Sequence, residues 1–353
     1  MQLVPYVNPS RWRMTLAPVW ALSGTLLISA LLIWLAHAPV LQAFGLLLSG
    51  GFGSMFAWSE TLTRATPLIL TGLAAAIAFR ARLYNIGAEG QLYMGALAAI
   101  VVGGMHGGTG WGLPVMVEFP LMLLAAALAG ALLLLIPTVL KTHFGVDEVV
   151  TTLLLNFIAL LFVSMMLDGP MKDPLSMGWP QSVALNPELE LTRLVDKLRI
   201  HSGLVMAVVL ALLIHFVNKR TVFGFEMRAV GANARASRFA GMSVNSVMIK
   251  TALLSGAVAG LAGAFEVAGR TSYITLDMSP GYGYTGIVIA MLAALNPVGV
   301  VFASIFIAGI LVGADSMSRS IGVPTYLADV VVAVSLISML IAVMLAKYKI
   351  ILK

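Results

Sequence analysis

Apolar stretches about as long as a bilayer is thick recur from one end of this chain to the other. A helix that spans lipid needs roughly 20 apolar residues, and all of its backbone groups must be bonded internally. Ten such stretches can be read along the 353 residues, near 16–36, 61–79, 88–104, 119–139, 149–167, 202–217, 247–268, 282–295, 297–313 and 326–346. Charged residues make up only 10% of the chain, whereas soluble domains carry roughly 25%. The pattern predicts an all-α polytopic membrane protein with about ten transmembrane helices, residues 1–353 forming a single transmembrane domain. The eighth stretch is short and opens on Pro280-Gly281-Tyr282-Gly283, so a broken or re-entrant segment is an alternative there.

The first stretch follows Arg11 and Arg13, and Ala36-His37-Ala38 resembles a cleavage site. Its length of about twenty residues exceeds the roughly 7–15 of a signal core, so an uncleaved span is expected. Lysine and arginine then set the orientation. With the N-terminus inside, fourteen basic residues fall on the cytoplasmic side and seven outside, as the positive-inside rule requires. An even number of spans puts both termini inside. Parity makes 168–201 an extracytoplasmic loop of mixed charge. Its part 189–199 has apolar residues at helical spacing, a pattern that suits the membrane surface. Residues 218–247 form the longest inside loop.

Four strings carry polar or small residues where lipid would disfavour them. In Asn85-Ile86-Gly87-Ala88-Glu89-Gly90-Gln91, the side chains of Asn85, Glu89 and Gln91 either line a path or bond exposed backbone. The plainer alternative is a cytoplasmic turn with a polar helix start. In the second string, Asp147 and Glu148 sit where a helix N-terminus favours negative charge, and Thr151, Thr152 and Asn156 continue into the span. That is either an ordinary helix start or the wall of a pathway. The third string runs from Glu226 to Gly241. Ala232 to Phe239 is expected to form a short helix stopped by Gly241, which suits docking to a soluble partner as well as a solvated loop. The fourth contains Gly256 and Gly260, a G-x-x-x-G pair for close helix packing, expected within the chain. Glu266, Asp315 and Asp329 lie near span ends and are read as interfacial.

Cysteine is absent, which excludes disulfides and thiolate chemistry. The five histidines are scattered, so no metal is expected. No nucleophile–base set emerges, and the phosphate-loop pattern G-x-x-x-x-G-K-[ST] is missing. Any ATP hydrolysis must then belong to another chain.

Taken together, N-I-G-A-E-G-Q, G-V-D-E-V-V-T-T-L-L-L-N, R-A-V-G-A-N-A-R-A-S-R-F-A-G and P-G-Y-G-Y-T-G-I-V-I-A-M-L-A-A-L-N-P resemble permease subunits of bacterial ATP-driven importers for nucleosides and simple sugars. The resemblance runs from about residue 61 to 346 and is closer to the nucleoside branch than to ribose permeases. It implies a type II-like ABC importer permease in the bacterial cytoplasmic membrane, with no enzymatic activity of its own. It implies no cofactor in this chain, with ATP and Mg on a partner ATPase. The other implied partners are a second permease, often a different chain, and an outside binding protein or lipoprotein.

On that reading the translocation pathway would be lined by Asn85, Glu89, Gln91, Glu148, Thr151, Thr152, Asn156, Tyr282 and Tyr284. The ATPase would be contacted by Arg228, Gly231, Asn233, Ala236 and Gly241 in the coupling loop 218–247. The cargo would be a neutral polar solute, a nucleoside before a sugar. Ser237 stands where the family often has alanine, and the 168–201 loop has no match in the resemblance. An ion-coupled secondary transporter is the competing class. It would place carboxylates near mid-span, whereas here they sit mostly at span ends.

Overall fold

The structure is a computed structural model that describes residues 2–5, 11–35, 37–105, 113–322, 330, 333–334, 337–338, 341–342 and 348–351. In chain order the helices are α1 (Arg11–Leu35), α2 (Val40–Phe52), α3 (Met55–Arg80), α4 (Ala88–Gly103), α5 (Val115–Val139), α6 (Glu148–Asp168), α7 (Gly203–Arg220), α8 (Val222–Ala232), α9 (Ala234–Phe239), α10 (Val244–Glu266), α11 (Tyr282–Leu292) and α12 (Pro297–Ile321). Short π-helical turns extend α5 through Phe144 and α10 through Thr271. Two terminal strands, β1 (Gln2–Pro5) and β2 (Tyr348–Ile351), pair antiparallel.

Among the described residues six helices are long and apolar enough to cross a membrane, or seven if a bent pair counts as one span. The first nine apolar stretches each coincide with a helix, and most of the tenth lies outside the described residues, as does Asp329. The helix α2 was not foreseen. It follows α1 after a break at which His37 takes φ 57° and Pro39 precedes the first turn, and the two axes differ by 119°.

The chain divides into two compact units, 1–61 with 306–353 and 62–305. In the first, small residues let α2 lie directly on the later part of α12. A Cβ at Gly50 would come within 2.7 Å of the Ser316 hydroxyl, and one at Gly51 would fall on the Gly309 carbonyl. Ile33, Ala43, Ala314 and Met317 make the dry centre of this unit.

The second unit is built on α4, α5 and α10. Gly95 faces the Gly260 carbonyl, Gly130 faces Gly256 and Gly260, and Gly263 faces the carbonyl of Leu92. None of these contacts leaves room for a Cβ, so the three backbones touch. The G-x-x-x-G pair at Gly256 and Gly260 therefore packs within the chain, as expected.

The segment 168–202 folds over the ends of α4 and α10. The N–H groups of Leu185 and Leu191 donate to the carbonyls of Ser272 and Ala268, and Asn186 donates to Gly103. Residues 189–199 are not the surface helix their spacing suggested. They enter a hairpin in which Arg193 pairs with His201, and Leu189 and Leu191 are buried rather than turned to lipid. Tertiary backbone bonds outweigh the local spacing here.

His201 closes that hairpin, wedged where Gly203 and Gly269 leave space for its ring. Its burial pushes the imidazole down to about 4 from an ordinary 6.5. Between these values the unfolded chain binds a proton that the folded chain refuses. Stability should therefore fall as pH drops from about 6.5 to about 4 and level off below that. Thermal unfolding of the solubilised protein across this window is expected to show the decline, and His201→Leu to flatten it. An unaltered profile in the variant would mean that other groups carry the acid sensitivity.

Candidate functional site: a broken-helix junction

The site starts where α3 ends. After Arg80 the chain leaves the helix for seven residues before α4 begins at Ala88. Backbone groups released by such a break need partners, because lipid supplies none. A stripe on α6 supplies them. Glu148, Thr152 and Asn156 are four residues apart and so share one face. Glu148 accepts from the Tyr84 N–H at 3.2 Å, Thr152 from the Ile86 N–H at 3.3 Å, and Asn156 from the Gly90 N–H at 2.8 Å. Asn156 also donates to the Ile86 carbonyl at 2.9 Å. The segment thus climbs about 12 Å along α6, eight residues at 1.5 Å each.

Three local features hold the stripe in place. Asp147 caps α6, its carboxylate accepting from the Val149 N–H at 2.8 Å. Gly145, at φ 70°, makes the left-handed turn that ends the preceding helix. Glu148 is paired with Lys141, whose ammonium also donates to the Arg82 carbonyl at 3.2 Å.

The far side of the break is closed by amides. Asn85 and Gln91 bond each other reciprocally at 2.9 and 3.0 Å, and Asn85 Oδ1 also accepts from the Gly87 N–H. Ser255, halfway along α10, lies 3.4 Å from Asn85 and donates to the Ala74 carbonyl of α3 at 2.8 Å. Ser255 is about 16 Å along α10 from its start, roughly half the 30 Å thickness of a hydrocarbon layer.

A second break meets the first. The helix α11 has only 11 residues, about half a span. Its N-terminus abuts that of α4, where a Cβ at Gly283 would come within 2.6 Å of Glu89 Cα. Two positive helix ends therefore converge, and the buried Glu89 carboxylate sits between them, accepting from the Gly283 N–H at 2.6 Å. Ser279 and the Gly281 N–H also point at it. Tyr93 donates to the Leu276 carbonyl at 2.5 Å and accepts from the Ser279 N–H, holding the lead-in to α11. Thr71 lies 3.0 Å from the Tyr282 carbonyl. At the other end Arg80 donates to the Leu295 carbonyl at 2.6 Å.

Of the nine pathway candidates, eight come together here. Asn85, Gln91, Glu148, Thr152, Asn156 and Tyr284 share one network, Tyr284 accepting from Asn156 at 3.1 Å. Glu89 and Tyr282 occupy the adjoining junction, and the Tyr282 hydroxyl lies 3.3 Å from Arg270, which pairs with Glu266. Glu266 is thus buried and paired rather than interfacial. Thr151 stands apart, bonding back to the Asp147 carbonyl on the exposed side. Tyr284 alone among the eight keeps an exposed side chain, 39% accessible, while the other seven are buried and bonded. Ser255, Thr71, Ser279 and Tyr93 were missed in the sequence. Thr71 and Ser255 are single polar residues in apolar runs, Ser279 lies in the loop before α11 and Tyr93 follows Gln91; only the tertiary partner marks each of them out.

The coupling candidates lie elsewhere in the same unit. Instead of one helix at 232–239, two helices meet at Asn233. Its side chain caps α9 through the N–H groups of Arg235 and Ala236, both at 3.0 Å. Gly241, at φ 85°, follows the end of α9. Arg228, Asn233, Ala236 and Gly241 are exposed. Gly231 is buried, with no room for a Cβ against the Arg80 carbonyl, so α8 sits directly on the end of α3.

The network makes a measurable claim on stability. Asn156→Leu would leave the Gly90 N–H and the Ile86 carbonyl buried without Asn156 as partner, each at a cost of about 1–3 kcal/mol. Thr151→Val, outside the network, is expected to be nearly neutral. Denaturation of the two variants in the same detergent would compare them, and equal losses would remove the structural role assigned to Asn156.

Comparison with known proteins gives a consistent family. Residues 57–343 match the family described as "Branched-chain amino acid transport system / permease component". The guanosine ABC transporter permease NupP of Bacillus subtilis is 38% identical over 323 residues, covering 90% of this chain and 91% of that protein. The glucose ABC transporter permease TsgB13 of Haloferax volcanii is 34% identical, covering 99% and 93%. The nucleoside ABC transporter permease NupB of Lactococcus lactis is 29% identical, covering 96% and 95%. With most of its length inside that match, this multi-pass chain belongs to the permease-component family of ABC transport systems.

Proposed function

We propose that this chain is one permease subunit of an ATP-driven importer that carries a nucleoside inward across the bacterial cytoplasmic membrane. The observation that carries the reading is the chemistry of the junction. Its buried charges are paired or bonded, and the one pathway candidate there that keeps an exposed side chain is neutral: Tyr284, with bonded amides behind its hydroxyl. Such a surface suits a neutral ribose and base through weak, multiple contacts. The likeness to a guanosine permease points the same way. A second reading, a simple-sugar cargo, rests on the glucose permease, which is 34% identical over nearly the whole chain.

In this scheme the path runs beside the open face of α11, with Tyr284 at its upper end and Met291 below. The buried network behind it fixes that face in place. A second permease, a different chain, pairs with this one as a heterodimer and completes the cavity. ATP and Mg sit on a cytoplasmic ATPase that contacts α8 and α9 within the 218–247 loop. Arg228, Asn233, Ala236 and Gly241 offer the contact, and the seat of Gly231 on Arg80 carries motion into α3. An outside binding protein or lipoprotein delivers cargo near the 168–201 loop. Ten crossings with both termini cytoplasmic fit the charge bias, and the pairing of β1 with β2 is consistent with ends on one side.

Two measurements test this. In cells carrying the complete transporter, unlabelled guanosine, adenosine or uridine is expected to compete for uptake, and ribose or glucose is not. Competition by sugars alone would transfer the assignment to the sugar reading. Single cysteines at the exposed Leu175 and Ala236 are expected to label from opposite sides of the membrane, and same-side labelling would sink the topology.

A further inference from the structure

A cleft of about 510 Å³ opens beside the end of α3, within the size range of small-molecule sites. Phe79, Arg80, Arg82, Tyr84, Arg228 and Leu295 line it, and no carboxylate is among the lining residues. Glu148, which accepts from the N–H of the lining Tyr84, is already paired with Lys141. Three guanidiniums from two elements thus face one space without a compensating anion. Arg82 takes φ 55° at the tip of the turn after α3, a conformation that side chains rarely adopt. Beside them Phe79 and Tyr84 meet edge to face, with ring centroids 5.3 Å apart, and Tyr84 is 45% exposed.

We propose that this cleft binds a nucleoside monophosphate from the cytoplasm, its phosphate on the arginines and its base against Tyr84. Guanidinium forks match phosphate oxygens, and an aromatic face accepts any planar base. A bare phosphate or a lipid headgroup would use the arginines but not the rings. The location gives binding a consequence. Arg228 belongs to α8, Arg80 and Arg82 to the end of α3, and Leu295 to the end of α11. One anion would tie α8 to the two elements it must move, and so slow the transport cycle. The ligand is the product expected when a kinase phosphorylates an imported nucleoside, so the cleft would report how much cargo has been trapped. The cytoplasmic placement of this face and the meaning of the ligand as trapped cargo rest on the function proposed above; binding at the cleft rests on its lining alone.

The test uses the complete transporter with its ATPase, in nanodiscs of zwitterionic lipid. Equilibrium dialysis with labelled guanosine monophosphate is expected to show a site that Arg82→Gln or Arg228→Gln weakens about tenfold, and that Tyr84→Ala weakens less. Arg82→Gln is the deciding variant, because Arg82 is not among the residues proposed to contact the ATPase and any binding by the ATPase is then common to variant and wild type. Guanosine should not displace the label, and inorganic phosphate should do so only weakly. Equal binding in wild type and variants would overturn the proposal, as would displacement by guanosine. Loss of binding on adding phosphatidylglycerol would identify a lipid headgroup site instead and also overturn it. Should an arginine variant fail to assemble, wild-type proteoliposomes decide. Guanosine monophosphate on the ATPase side should slow uptake and on the opposite side should not, and no effect, or an effect from either side, would reject the site. A sugar importer could pass this test and a nucleoside importer fail it, so the two readings stand or fall separately.

Discussion

A backbone that leaves its helix inside a membrane must find hydrogen-bond partners within the protein, and much of the second unit is arranged around that demand. The chain breaks between α3 and α4 and again before α11. Each break releases N–H groups that would cost about 1–3 kcal/mol apiece if buried unmet. The stripe Glu148, Thr152 and Asn156 meets the first set, and Glu89 with Ser279 and Tyr93 meets the second. The acidic, hydroxyl and amide side chains in these spans therefore have a structural purpose before any transport role. Glu89 illustrates the economy: one carboxylate, itself in the first turn of α4, answers the N-terminus of α11 as well.

Much of this was legible from residue types. Nine apolar runs became helices, the G-x-x-x-G pair became a packing surface, and Asp147 became a cap. The string from Asn85 to Gln91 announced polar groups in an apolar setting; Asn85 and Glu89 bond exposed backbone, and Gln91 bonds Asn85. The remainder required knowledge of which elements meet. Nothing local connects Asn85 to Ser255, 170 residues away, or Thr71 to the carbonyl of Tyr282. The helical spacing of 189–199 misled because its apolar residues were claimed by the ends of α4 and α10. The helix α2 escaped notice because thirteen residues fall short of a span and the bend before it hides its continuity with α1.

Small residues and polar bonds act together in the second unit. Where α4, α5 and α10 touch through Gly95, Gly130, Gly256, Gly260 and Gly263, contact is close enough to exclude side chains, and relative sliding would create immediate overlap. Where α11 joins them, Gly283 lies on Glu89 and Gly286 on Thr71, again with no room for a Cβ, and hydrogen bonds to a carbonyl, an N–H and a hydroxyl are added. The first turns of the half-span are therefore fixed by both kinds of contact, whereas the chain just past its C-terminal end is held by the Arg80 bond to Leu295.

The C-terminal end of the half-span is where motion from α8 would reach the junction. Gly231 seats α8 on the last carbonyl of α3, and the Arg80 guanidinium on that same residue holds the end of α11 through Leu295. A displacement of α8 would thus act first on the α3 terminus and the lower end of the half-span, not on the glycine-packed frame. At the upper end of α11, Tyr284 leans on Asn156, and Asn156 also holds Gly90 and Ile86. The short helix is consequently held just past one end by Arg80, on which α8 is seated, and at the other by Glu89 and the network that satisfies the break. In the function proposed above, a push from α8 would meet those fixed points, and the exposed Tyr284 stands beside them.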